Sequence, residues 1–170
     1  MKEGLRVAAL VRAAVARFGQ SDVAMRCAAV LRGGEDSELD SYLAGGAIRL
    51  AESRDYWRRV WAARGLRYAW DERAAPAVID ALSDDAWRVR EWAAKLVLRY
   101  ELGQAADEVA ALGRDPVPRV RAAVAAALAK IGEAEHADVL HDLTDDPESF
   151  VRDRAERSLR ALSERLDRAL

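Results

Sequence analysis

Along the second half of the chain, apolar residues return at helical spacing in three blocks, each the same distance from the last. Val89, Ala93, Leu96 and Tyr100 form the first; Val120, Val124, Leu128 and Ile131 the second; Val151, Ala155, Leu159 and Leu162 the third. Steps of three and four residues place each set on one face of an α-helix. The interval is 31 residues, because 120 − 89 and 151 − 120 agree. A polar signature keeps the same register: Asp-x-x-x-x-Val-Arg occurs at Asp84 to Arg90, Asp115 to Arg121 and Asp146 to Arg152. Shorter apolar segments, Ala75 to Leu82, Ala106 to Leu112 and Ala137 to Leu143, precede the motifs. Each period therefore predicts a short helix, a turn carrying Asp, and a longer helix opened by Val-Arg. A helix pair of this size cannot bury both of its faces, so the copies must stack on one another.

The punctuation agrees with this division. Asp115 before Pro116 and Asp146 before Pro147 predict an N-cap acceptor followed by a residue that needs no amide acceptor, and Pro118 still falls in a first turn. Gly103 and Gly132 stand where a helix end favours a left-handed residue. One period earlier, Trp61-Ala62-Ala63-Arg64 aligns with Trp92-Ala93-Ala94-Lys95. That copy is degenerate: Ser53 replaces the Asp and Arg58 the Val, Arg59 keeps its place, and Leu39 to Ala51 supply the first helix. Residues 3–18 and 22–32 read as another pair, with Asp22 as N-cap, before the breaker Gly33-Gly34. The last helix is long and charged, as a terminal cap with one face in water should be. The expectation is an all-α, right-handed α-α superhelix of about five helix pairs. It forms a single domain over residues 1–170, with degenerate pairs at 1–53, the clearest repeats at 54–147 and a capping helix at 148–170.

Composition narrows the function classes. With 51% hydrophobic and 33% charged residues the chain can bury a core. Its longest uncharged stretches are eight residues, Ser41 to Ile48 and Ala122 to Ala129, against the roughly 18 a membrane span requires. Arg12 and Arg17 interrupt what would be the apolar core of a signal peptide. The single cysteine, Cys27, lies among Ala and Val at helical spacing and reads as a buried small residue, which fits a reducing cytoplasm. Net charge is −2, unevenly spread: residues 54–99 carry 10 basic and 7 acidic groups, residues 100–170 carry 10 and 15.

A 31-residue helical pair with Asp in its turn and Val-Arg opening the second helix resembles the HEAT repeats, especially the short bacterial type also found in phycobilin lyases, over about residues 54–165. The resemblance implies a ladder linking successive repeats, in which Asp84 pairs with Arg90, Asp115 with Arg121 and Asp146 with Arg152. It also implies that the second helices line a concave surface, whose non-core positions meet a partner. Those positions, about 110° from the core centre, are Trp57, Trp61, Arg64 and Tyr68; Arg88, Trp92, Lys95 and Arg99; Arg119, Ala123, Ala126 and Lys130; Phe150, Arg154, Arg157 and Ala161. The candidate partner-binding set is Trp57, Trp61, Arg64, Tyr68, Arg88, Trp92, Lys95, Arg99, Arg119, Lys130, Arg154 and Arg157.

All five tryptophans fall between Trp57 and Trp92 in a chain that is only 6% aromatic. Two readings stand side by side: the rings fill gaps left by alanine between neighbouring helices, or they join arginine in a recognition surface of the kind that dominates binding hot spots. Catalytic patterns are lacking. His136 and His141 lie roughly 140° apart around a helix and do not converge on a metal. The Gly-Gly pairs at 33–34 and 45–46 lack phosphate-loop context, and the acids from Asp138 to Asp146 read as a solvated cluster. Helical-repeat hydroxylases carry His-Glu pairs that this chain lacks, and helical-repeat glycosylases an Asp that the Trp-rich face lacks. No catalytic residue, metal or cofactor is therefore assigned. The expected function is a non-catalytic, cytoplasmic protein-protein interaction scaffold that receives an acidic or extended segment. The alternatives are a nucleic-acid-binding or base-excision protein and a bilin lyase or chaperone.

Overall fold

The structure, a computed structural model, describes residues 2–44 and 56–167. The described residues contain no strand and fall into five helix pairs. First helices are α1 (Lys2–Phe18), α3 (Ser37–Leu43), α5 (Ala75–Asp80), α7 (Ala106–Ala111) and α9 (Ala137–Thr144); second helices are α2 (Gln20–Leu31), α4 (Tyr56–Leu66), α6 (Trp87–Tyr100), α8 (Pro118–Ile131) and α10 (Ser149–Leu166). The arrangement is that of a HEAT-like α solenoid. Val89, Val120 and Val151, which open the three periodic stripes, are each 0% exposed, as their register requires. Of Leu39 to Ala51, residues 39–43 are helical and residues 45–51 lie outside the described residues, as does Ser53.

By internal packing the chain divides into two compact units, residues 1–92 and 93–170, with the division inside α6. In the first unit α2 packs against α4 and α5, and α1 against α2, α3 and α4. Val23, Cys27, Val30, Leu39, Val60 and Leu66 are fully or almost fully buried there. The helices close tightly because Gly65 leaves room: a Cβ at that position would lie 2.9 Å from Cys27 Sγ and 3.2 Å from Leu43 Cδ2. In the second unit α10 packs on α8 and α9, and α7 on α8. Val124, Leu128, Leu140 and Leu162 are 0% exposed, each worth roughly 1.5–3 kcal/mol relative to an exposed side chain.

The turn works differently from its sequence-based expectation. Asp115 and Asp146 are not N-caps: the caps of α8 and α10 are Val117 and Glu148, neither with a side-chain cap bond. Instead, the carboxylates of Asp84, Asp115 and Asp146 accept the amide two residues on, from Ala86, Val117 and Glu148 at 2.8, 2.8 and 2.9 Å. Asp in this short reach shapes a turn of its own and leaves the helix to start later. Asp22 likewise does not cap α2, which begins after Gly19 at φ 88°. Gly103 and Gly132 are not left-handed either; Glu101, at φ 49°, takes that conformation after α6. Gly132 is required by space, since a Cβ would meet Leu128 O at 2.6 Å.

The ladder is also wired differently. The arginine six residues after each turn Asp reaches the Asp backbone carbonyl, not its carboxylate: Arg90 Nη1 donates to Asp84 O at 2.8 Å, Arg121 Nη1 to Asp115 O at 2.7 Å and Arg152 Nη1 to Asp146 O at 2.6 Å. The carboxylate takes an arginine 25 residues earlier. Arg59 donates to Asp84 at 2.6 and 3.1 Å in the first unit, and Arg121 to Asp146 at 2.5 and 2.8 Å in the second. A planar fork can serve both acceptors at once, which a lysine cannot.

Candidate functional site

In the first unit the start of α4 and the start of α6 bring an arginine among aromatic rings. Trp57 and Trp61, one helical turn apart on α4, stack with centroids 6.4 Å apart and planes 29° from parallel. The Tyr56 ring lies 5.3 Å from that of Trp57, tilted by 33°. Arg88, the second residue of α6, enters this group. Its guanidinium carbon sits 4.3 Å from the Trp87 ring centroid, 5.3 Å from Trp57 and 6.0 Å from Tyr56, all within cation-π reach. Further along the same helices Arg64 lies 5.9 Å from the Trp92 ring. Trp57, Trp61, Arg64, Arg88 and Trp92 are all half-buried, so the rings are neither enclosed by neighbouring helices nor fully in water. Tyr68 is 38% exposed and has Arg67 near its ring, apart from this group.

Tyr56 and Trp87 complete the box, and the periodicity missed both. Each directly precedes a face residue, about 100° around its helix, so a face defined by steps of three and four excludes it. The signal was the adjacency of Tyr56-Trp57 and Trp87-Arg88, two bulky flat groups in succession at matching points of two helices. Glu91, next to Trp92 in sequence, is 4% exposed and does not present a surface carboxylate.

In the second unit the register positions are mostly cationic. Lys95 is half-buried; Arg99, Arg119, Lys130, Arg154 and Arg157 are exposed, and Phe150 is 46% exposed beside them in register. Ala123, placed on the same face by its spacing, is 7% exposed and lies within the core. Arg99 lies 5.7 Å from the Tyr100 ring.

Other titratable groups are tied into the scaffold. His136 is buried: its Nδ1 accepts the Glu133 amide at 2.9 Å, so the proton sits on Nε2, which faces Asp107 Oδ1 at 3.1 Å. His141 is exposed and on a different face, and among the described residues no three His, Cys, Asp or Glu side chains gather to hold a metal. Cys27 is buried, and loss of hydration pushes its thiol up to about 12. Asp40 is 1% exposed and, among the described residues, has no hydrogen bond to either carboxylate oxygen; Arg58 Nε stands 3.3 Å from Oδ2. Burial raises its carboxyl above the ordinary carboxylate range despite Arg58. No helix among the described residues is long and apolar enough to cross a membrane.

Residues 98–160 match the family of HEAT repeats. The matched stretch lies in the second unit and holds two of the three signature turns. The match is to the repeat class and does not single out the phycobilin-lyase type. Comparison with curated proteins gave no match, nor did comparison with solved structures.

Proposed function

We propose that this HEAT-repeat chain is a non-catalytic scaffold for protein-protein interaction that offers the faces of its second helices to an acidic, extended segment of another protein. One observation carries the reading. Of the sixteen register positions on those faces, eight are Arg or Lys, five are aromatic, three are Ala and none is Asp or Glu. The whole chain has 29 acidic against 27 basic residues, so a face drawn without selection would hold both signs. Stacked helix pairs of this class generally serve as extended binding surfaces, and arginine with tryptophan is the pair most enriched where binding energy concentrates.

Reversing Arg88, Lys95 and Arg99 together to Glu tests the reading. The variant should keep the far-ultraviolet helical signal of the parent and lose capture of its partner from host lysate. Undiminished capture would refute the assignment of the face. Nucleic acid meets the same residue types, and a polyanion would bind with strong salt dependence. A net charge of −2 and a pI of about 5.8 weigh against it. Retention on a single-stranded oligonucleotide resin at low salt, lost in the same variant, would favour it instead.

A further inference from the structure

We infer that Arg88, boxed by Tyr56, Trp57 and Trp87, is the receptor for a carboxylate on the partner's acidic segment, an inference that rests on the scaffold reading above. The first support is what Arg88 lacks. Arg26, Arg32, Arg58, Arg59 and Arg73 of the same unit each meet a carboxylate. Arg88 meets none among the described residues; its one polar contact is to Tyr56 Oη at 3.5 Å, at the outer limit of a hydrogen bond. A guanidinium carries five donors, so its fork remains available to an acceptor.

The second support is position. Arg88 lies in the first turn of α6, a helix of 14 residues whose first turn has no acid. A cation there opposes the positive end of the helix dipole, whereas an anion bound over it is favoured by both. Stability alone would place a carboxylate at this point. The third support is rigidity. Rings at 4.3, 5.3 and 6.0 Å hold the guanidinium and strip part of its hydration without neutralising it. A carboxylate arriving there gains a bidentate, charge-assisted pair at little cost in side-chain ordering.

The same geometry selects against a stacked base. Trp57 has Arg88 near its ring and Trp61 and Tyr56 against it, and Trp87 is covered by Arg88 at 4.3 Å. Base recognition on single strands needs open ring faces. Among the described residues, what stays uncovered is the polar fork with flat apolar edges around it, which suits a carboxylate set between apolar residues on an extended chain.

The test is fluorescence polarisation with a fluorescein-labelled peptide of alternating Glu and Pro, read against its Gln-Pro counterpart, with oligodeoxythymidylate as a third probe. Intrinsic tryptophan emission on adding unlabelled peptide provides a second signal, since Trp57 and Trp87 line the box. Wild type should bind the Glu peptide at least about tenfold more tightly than the Gln peptide, and Arg88→Lys, which keeps charge but not the fork, should weaken it roughly 30-fold, the size of a hot-spot loss. Arg88→Lys should melt with the wild type, and Arg114→Ala, at an exposed arginine outside the candidate face, should change affinity less than about threefold. Equal binding by wild type and Arg88→Lys would overturn the receptor while leaving the scaffold reading to its own capture experiment. Equal affinity for the Gln peptide, no binding of the Glu peptide, or binding of oligodeoxythymidylate in its place would overturn it as well.

Discussion

Replacing Asp146 with Ala removes one side of the most enclosed ladder pair. The side chains of Arg121 and Asp146 are 13% and 3% exposed, and the carboxylate accepts two guanidinium bonds, at 2.5 and 2.8 Å, and the Glu148 amide at 2.9 Å. After the substitution Arg121 keeps its bond to Asp115 O but holds a largely buried charge without a counter-ion. Breaking such a pair from one side costs about 3–5 kcal/mol. The exposed pair Arg114–Asp142, at 91% and 69%, should cost about 0–1 kcal/mol when Arg114 becomes Ala. Urea unfolding followed by circular dichroism gives both values, and the double variant Arg121→Ala, Asp146→Ala gives their coupling. The double variant should be less destabilised than the two single effects summed, because no charge is then left stranded. A loss below about 1 kcal/mol for Asp146→Ala would refute the claim that the ladder is a buried, structural device. Acid adds a check: hydrogen bonds from Arg121 hold the Asp146 carboxyl below its ordinary range. Its contribution is then complete above the unfolded value near 4 and is lost as pH falls through the folded value, so Asp146→Ala should flatten the acid limb of the stability curve.

Three other outcomes follow from the first unit. Asp40→Asn should raise stability at neutral pH by about 1 kcal/mol, because burial lifts the Asp40 carboxyl. The penalty of the ionised form exists only above the unfolded value near 4, so the gain should vanish on acidification; a gain independent of pH would contradict the cause given. Gly65→Ala should destabilise by about 1–3 kcal/mol from overpacking, in spite of alanine's better helix propensity, and Cys27→Ala in the same chain should restore part of the loss by removing the sulfur 2.9 Å away. Cys27, buried and with its thiol near 12, should resist a thiol-specific reagent in the native protein and react promptly in denaturant; rapid native labelling would show the helix contact to be open.

The elements were legible because their signal is repeated. Val89, Val120 and Val151 occupy the same place in three copies, and all three are buried. What stayed hidden was the partner of each polar group. The family resemblance implied a pair between Asp146 and Arg152; geometry gives Arg152 the Asp146 carbonyl and leaves the carboxylate for Arg121. A residue string records which groups exist, and not which oxygen of an aspartate faces which helix. Asp40 gave no signal, since nothing in its sequence neighbourhood distinguishes it from a solvated acid, yet packing of α3 against α4 encloses it. The candidate face was readable in register for Trp57, Trp61 and Arg88, whereas Tyr56 and Trp87 join it through the length of the Arg88 side chain, which no helical wheel represents.

The wiring of the ladder bears on how such a chain can change in length. Arg121 hooks back 6 residues to a carbonyl and reaches forward 25 to a carboxylate, and the two distances together make one 31-residue period. Duplicating or excising a stretch of that length around it, wherever the cut falls, returns the hook to a carbonyl and the reach to a carboxylate. Tandem copying of the gene is thereby freed from the need to respect helix boundaries, and copy number can drift without a stranded charge to select against it.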